Sequence, residues 1–247
     1  MFIPPKLIGH RGVKNLCPEN TLDSIKLARQ LGLDWVEIDI KVSKDLIPIL
    51  LHDESLNRTT NGKGLAIDFN YSEIKKFDAG IFFYKHPTKI YIPTLKEILI
   101  YCKKYNIGIN IELKSNLGFE KENIQAIANL LKNNNFNNTY FFSSFDWESI
   151  ILMKKYIPNA FYGILIDKFD KNHSLENVLA ICNKFNFFCC GFNKNIMSLD
   201  VIKEMKKNNL ITTIYSDDNL KLIDAKKFWS MGVDSIFIDD PSEFKIS

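Results

Sequence analysis

The sequence predicts an α/β chain in which eight strands, alternating with helices, close into a parallel barrel. Three observations lead there. Strand-like runs fall at 6–10, 35–40, 108–113, 139–143, 161–166, 188–192, 211–215 and 235–238, most of them separated by helical patterns. A length of 247 residues is ordinary for one barrel-type domain. The competing architecture, an open doubly wound sheet, announces itself with a Gly-rich phosphate turn after its first strand; here that strand ends Gly9-His10-Arg11-Gly12, which is no such turn.

Taken in order, the first run delivers His10 and Arg11 at its end. The second, Asp34-Trp35-Val36-Glu37-Ile38-Asp39-Ile40, is short and rich in β-branched residues, and alternation puts Glu37 and Asp39 on one face. Lys44-Asp45-Leu46 then turns the chain back into Ile47-Pro48-Ile49-Leu50-Leu51, a ninth strand expected to be a hairpin mate rather than a barrel stave. That return brings His52 near the two acids. From about 54 to 93 no long period is visible, and the segment is too long for a plain loop. It reads as a small insertion over the strand C-terminal ends, with most of its aromatics (Phe69, Tyr71, Phe77, Phe82, Phe83, Tyr84, Tyr91) expected in a satellite core. Thr94-Leu95-Lys96-Glu97 is a capping box, followed by Leu95, Ile98, Leu99 and Cys102 at helical spacing. Asn133 to Asn138 reads as a helix-ending loop. Ser174 caps a stripe of Leu175, Val178, Leu179, Cys182 and Phe185, while Ser198 and Asn219 are predicted caps of two further helices.

Composition narrows the function. A net charge of +3 with scattered lysines does not argue for nucleic acid. Five cysteines without metal-ligand spacing favour free thiols in a reducing compartment. No signal peptide is expected at the N-terminus, and no run of eighteen apolar residues exists to span a membrane. A cytoplasmic protein is the expectation.

In such a barrel, chemistry sits where strands end at the C-terminal face. Asn110, Glu112 and Lys114 form a polar file on the third stave, which should otherwise be nearly all apolar, and so mark a site. Ser143 and Ser144, Tyr215 and Ser216, and Asp239 and Asp240 end later strands. A divalent cation is the simplest reason for acids in apolar runs. Held by Glu37, Asp39 and Glu112, it would grip a phosphoryl oxygen, while Arg11 and Lys114 meet the remaining negative charge. His10 and His52 would divide acid and base duties. His86 and His173 sit at no stave end and are read as surface residues.

With these residues in place, the chain resembles the glycerophosphodiester phosphodiesterases over nearly its whole length. Gly9-His10-Arg11-Gly12 with Pro18-Glu19-Asn20-Thr21 is similar to the family's opening motif, and Val36-Glu37-Ile38-Asp39 with Lys44-Asp45 and His52-Asp53 to its second. Leu56-Asn57-Arg58-Thr59-Thr60-Asn61-Gly62-Lys63-Gly64 resembles the start of its insertion and Pro93-Thr94-Leu95 the close. Asn110-Ile111-Glu112-Leu113-Lys114 and the ending Gly232-Val233-Asp234 with Asp239-Asp240-Pro241 match as well. The resemblance implies a TIM (β/α)8 barrel, one divalent cation (Mg²⁺ or Ca²⁺, with Mn²⁺ also suited to oxygen ligands) on Glu37, Asp39 and Glu112, a catalytic pair in His10 and His52, and phosphate binding by Arg11 and Lys114. The implied reaction cleaves a glycerophosphodiester to glycerol 3-phosphate and an alcohol. Which imidazole begins as base stays open. Leu46 stands where the family commonly has Gly, so a different turn geometry is expected. Tyr215-Ser216-Asp217-Asp218 replaces Trp-Thr-Val-Asn, leaving Tyr215 to wall the pocket. The alternatives are lysophospholipase D-type action on acylated lipids, metal-free cyclising cleavage, and non-catalytic phosphate binding.

Overall fold

A computed structural model describes residues 3–134, 136 and 138–244. The order is β1 (Leu7–Gly9), α1 (Leu22–Gln30), β2 (Trp35–Val42), β3 (Pro48–Leu50), α2 (Tyr71–Ile74), α3 (Ile81–Tyr84), α4 (Leu95–Tyr105), β4 (Gly108–Leu113), α5 (Glu120–Asn133), β5 (Tyr140–Ser144), α6 (Trp147–Tyr156), β6 (Phe161–Ile166), α7 (Leu175–Phe185), β7 (Cys189–Asn193), α8 (Leu199–Lys207), β8 (Ile211–Tyr215), α9 (Leu222–Met231) and β9 (Ser235–Ile238). Strands pair in the order β1-β9-β8-β7-β6-β5-β4-β2, and β1 pairs with β2, so eight parallel staves close. β3 is the antiparallel hairpin mate of β2, through Ile40–Leu50, Lys41–Ile49 and Val42–Pro48.

The staves are buried on both faces, which explains their near-continuous apolar runs. The helices are started by local chemistry. Thr94 caps α4 in a full capping box with Glu97, and Ser174 and Ser198 accept backbone N–H bonds at the starts of α7 and α8. Asn106 and Asn186 end α4 and α7 in the left-handed conformation. Helix α5 lays Ile124, Ile127, Ala128 and Leu131 on the barrel. It ends at Asn133, as expected; Asn135 and Asn137 of the Asn-rich stretch lie outside the described residues.

Two expectations are corrected. Asn219 does not cap α9, whose N-cap is Lys221. Its side-chain oxygen instead accepts the backbone N–H groups of Asp239 and Asp240, tying down the end of β9. The hairpin turn also keeps the conformation that glycine would supply: Leu46 has φ +57°, held by its N–H on the Ser43 carbonyl and by Ser43 Oγ bonded to Asp45.

Residues 54–93 carry α2, α3 and one 3-10 turn at Ala66–Asp68. Leu56, Ala66, Ile74, Ala79 and Ile92 build a satellite core on Ile49 and Leu51, with Phe69, Tyr71 and Phe77 packed against it. Phe82, Phe83 and Tyr84 stay outside it, 40–50% exposed, and Tyr91 is not part of it, so a third expectation, that most of the seven aromatics pack there, is corrected.

Gly108 begins β4 under the Trp35 indole; a Cβ there would lie 2.0 Å from a ring carbon. Gly108→Ala is therefore expected to destabilise the fold by about 1–3 kcal/mol through overpacking. Thermal melting checks this, and an unchanged Tm would mean that Trp35 swings aside freely.

Candidate active site

The pairing register assembles the acids. β2 and β4 align Glu37 with Asn110 and Asp39 with Glu112. One carboxylate oxygen from each of Glu37, Asp39 and Glu112 lies within 4.8 Å of the others, and all three side chains are buried. Burial, then the neighbouring Asp39 and Glu112 charges, push Glu37 well above the usual carboxylate range. Burial likewise pushes Glu112 up to about 7, although the Lys114 ammonium 2.7 Å away opposes it. Asp39 goes the other way: burial disfavours its charge, but Arg11, Lys114 and His52 outweigh this and hold it at about 2. Arg11 Nε lies 3.2 Å from Asp39.

Two imidazoles stand beside this cluster. His10 follows β1, and its Nδ1 bonds to Asp239 at 2.7 Å; its Nε2 is 3.9 Å from Glu37. His52 follows β3, and its Nδ1 bonds to Asp53 at 2.7 Å. Burial lowers both imidazoles below their ordinary value against the pull of these carboxylates. A cavity of about 360 Å³ is lined by both imidazoles together with Glu37, Glu112, Arg11 and Lys114. Phe145, Asp167 and Tyr215 form more of its wall. Tyr215 donates its hydroxyl to Asp167 and to the Ile166 carbonyl, both at 3.1 Å, and its ring meets Phe145 edge-on.

Thus the eight residues expected to bind metal, bind phosphate, move protons or wall the pocket fall at one mouth: seven line the cavity, and Asp39 lies buried beside them. Asn110 and Ser144 do not join it. Asn110 accepts from Ser143 Oγ, and Ser144 Oγ bonds the Leu113 carbonyl; both residues are buried. His86 and His173 lie outside the cavity: His86 is exposed beside Tyr84, and His173 is half-buried against Asp170 and the Trp147 ring.

Several supporting residues were not assigned roles from sequence. Asn20, left-handed at φ +56°, grips Asp39 twice: its amide donates to the carboxylate at 2.8 Å and its oxygen accepts the Asp39 N–H at 3.1 Å. Lys14 approaches Asp239 at 3.3 Å. Arg58 clamps both Glu19 and Asp53, while Glu19 also holds Arg11. Lys14 lies in none of the family motifs; for Asn20, Glu19 and Arg58 the only signal is membership of them.

The Arg58 clamp has a pH consequence. Its hydrogen bonds hold Asp53 below the usual range, and with Arg11 they outweigh burial to do the same for Glu19. Depressed carboxylates contribute stability above the unfolded values, about 3.9 and 4.3, and lose it as pH falls through the folded values. The Tm gap between the native chain and Arg58→Leu should be widest near neutrality and narrow below about pH 4. A constant gap would assign the effect to packing alone.

Barrel, acidic trio and paired imidazoles around one cavity define an α/β-barrel enzyme. The profile described as the glycerophosphoryl diester phosphodiesterase family matches residues 10–243, and the chain belongs to that family. A glycerophosphodiester phosphodiesterase of Caldanaerobacter subterraneus subsp. tengcongensis is 34% identical over 241 residues, covering 95% of this chain and 94% of that one. One of Bacillus altitudinis is 31% identical, over 96% and 95%. Among solved structures, an Oleispira antarctica phosphodiesterase in complex with the product sn-glycerol-3-phosphate superposes with TM-score 0.89 at 30% identity, covering 99% of this chain and 96% of that one.

Proposed function

We propose that this chain hydrolyses glycerophosphodiesters to glycerol 3-phosphate and an alcohol, using one divalent cation on Glu37, Asp39 and Glu112 and proton transfer by His10 and His52. The observation that carries the reading is the shared cavity: two imidazoles from separate segments, each oriented through Nδ1 by its own carboxylate, flank the space bordered by Glu37, Glu112, Arg11 and Lys114. Family membership and the product named for the Oleispira relative support the substrate class.

The donor set fits a hard cation. Three buried carboxylates converge, and Glu37 Oε1 is buried with no hydrogen-bond donor among the described residues. Oxygen donors suit Mg²⁺, Ca²⁺ and Mn²⁺ alike. Bound there, the cation would act as a Lewis acid toward a phosphoryl oxygen.

The chain's own residues do the rest. Lys114, and Arg11 beside it, set positive charge at the cavity wall against the phosphate oxygens. With Nδ1 donating to Asp239 or Asp53, the neutral ring of His10 or His52 presents Nε2 as a base. One imidazole takes the proton of the glycerol 2-hydroxyl as that oxygen bonds to phosphorus. The other protonates the departing alcohol as its P–O bond breaks. Water then opens the cyclic phosphate with the roles reversed. Tyr215, anchored on Asp167, walls the organic part of the substrate.

The domain reading is one barrel over 1–247, with the 54–93 segment lying over the mouth; the Leu117 N–H bonded to Glu54 and the Arg58 clamp support that position. No helix among the described residues is long and apolar enough to cross a membrane. Five free, buried cysteines favour a reducing, cytoplasmic setting.

A second reading, lysophospholipase D-type action on acylated lysophospholipids, is favoured by the exposed aromatic surface of α3. Assays on glycerophosphocholine and on a lysophospholipid, each with and without chelator, test both. The expected result is glycerol 3-phosphate release from glycerophosphocholine that stops in chelator and returns with added cation. Undiminished turnover in chelator would favour metal-free cyclising cleavage. Turnover of the acylated substrate alone would favour the second reading.

A further inference from the structure

Helix α3 reads Ile-Phe-Phe-Tyr and buries none of its four residues. Phe82, Phe83 and Tyr84 are 50%, 40% and 41% exposed, and from Phe82 to Pro87 every residue is exposed. Phe69, Tyr71 and Phe77, elsewhere in the insertion, pack against its satellite core, so this short stretch stands apart from them. The rings make a compact cluster: Phe83 and Tyr84 meet edge-on at 5.0 Å, and Tyr84 stacks on His86 at 5.9 Å.

The rim of the cluster is basic. Lys63 Nζ lies 6.0 Å from the Phe82 ring, and Lys85 and Lys89 are exposed beside it. Two acids lie nearby: Asp78 keeps its charge, with its oxygens held by neutral donors of its own loop, and Asp23 has a cationic partner. Asp78 is capped by the Gly80 N–H at 2.8 Å and by the Thr88 hydroxyl and N–H, and Asp23 pairs with Lys26 at 3.3 Å. No other acid occurs between Asp78 and Glu97. The patch therefore presents aromatic bodies framed by three ammonium groups. That combination matches the headgroup layer of an anionic bilayer, where rings sit at the apolar boundary and lysines meet lipid phosphates. The patch also adjoins the mouth: Tyr84 Oη touches Cys17 Sγ at 3.8 Å, on the loop that carries Glu19 and Asn20 to Arg11 and Asp39.

We infer that the Phe82–Lys89 segment is a membrane-docking surface that seats the barrel mouth against anionic lipid. The docking is peripheral and reversible, since a few partly exposed rings and lysines give only modest affinity. It is independent of which diester the cavity hydrolyses.

The test is flotation of the full chain with vesicles of phosphatidylcholine alone and of phosphatidylcholine mixed with phosphatidylglycerol. The native chain is expected to float with the mixed vesicles and far less with the neutral ones. Each of Phe82→Ser and Phe83→Ser should weaken partitioning by roughly ten-fold. Each of Lys85→Ala and Lys89→Ala should weaken it by about five-fold, on anionic vesicles only. All four variants should keep the native Tm and native turnover of glycerophosphocholine. No flotation of the native chain, or equal flotation of native and Phe82→Ser/Phe83→Ser chains, would overturn the inference. So would a concentration-dependent dimer that the double variant disperses, since a second copy would then be the occupant.

Discussion

Replacing His52 with alanine is expected to lower kcat by about 10²–10⁴-fold, the usual worth of a positioned acid or base. The ring sits on the cavity wall with Nδ1 on Asp53, so Nε2 is the atom offered to substrate. His10→Ala should fall in the same range, because His10 has the same arrangement through Asp239. The two are expected to fail for the same chemical reason from opposite ends of the proton transfer. The double variant should therefore lose less than the product of the single losses. Steady-state kinetics on glycerophosphocholine read this directly. A single variant that kept native kcat would remove that imidazole from the catalytic assignment.

Glu112→Ala should abolish turnover at ordinary cation concentrations by another route, by weakening the proposed cation site. Glu112 is buried against Glu37 and Asp39, and its carboxylate is one of three oxygens within 4.8 Å. Removing one of three protein ligands costs a charged oxygen donor and should weaken cation affinity strongly. Activity and bound metal should fall together, and Glu37→Ala should behave alike. High concentrations of added cation should restore part of the activity of these variants and none of that of His52→Ala.

The barrel was legible because its staves are buried on both faces. A buried parallel strand must be apolar throughout, so runs such as 161–166 and 235–238 stood out, and their bounds agree with β6 and β9. The same rule exposed the site: Glu37, Asp39 and Glu112 are polar breaks in runs that packing alone would keep apolar. What stayed hidden depends on contacts distant in sequence or on backbone conformation. His10 and Asp239 are separated by 229 positions, and nothing local to either announces the bond. Asn219 has the residue type of a helix cap, yet the free N–H groups of Asp239 and Asp240 claim its oxygen. Leu46 holds a positive φ that its residue type disfavours, because Ser43 and Asp45 stabilise the turn around it. Asn20 was quoted as part of a motif, but its grip on Asp39 emerges only when β1 and β2 are neighbours.

The division of labour between carboxylates and imidazoles is tested most directly by measuring bound Mn²⁺ per chain in His52→Ala and Glu112→Ala side by side, by equilibrium dialysis. The expected result is near-native binding in the histidine variant and strongly weakened binding in the glutamate variant, with both inactive. Equal loss of metal in the two, or full retention in Glu112→Ala, would contradict the account.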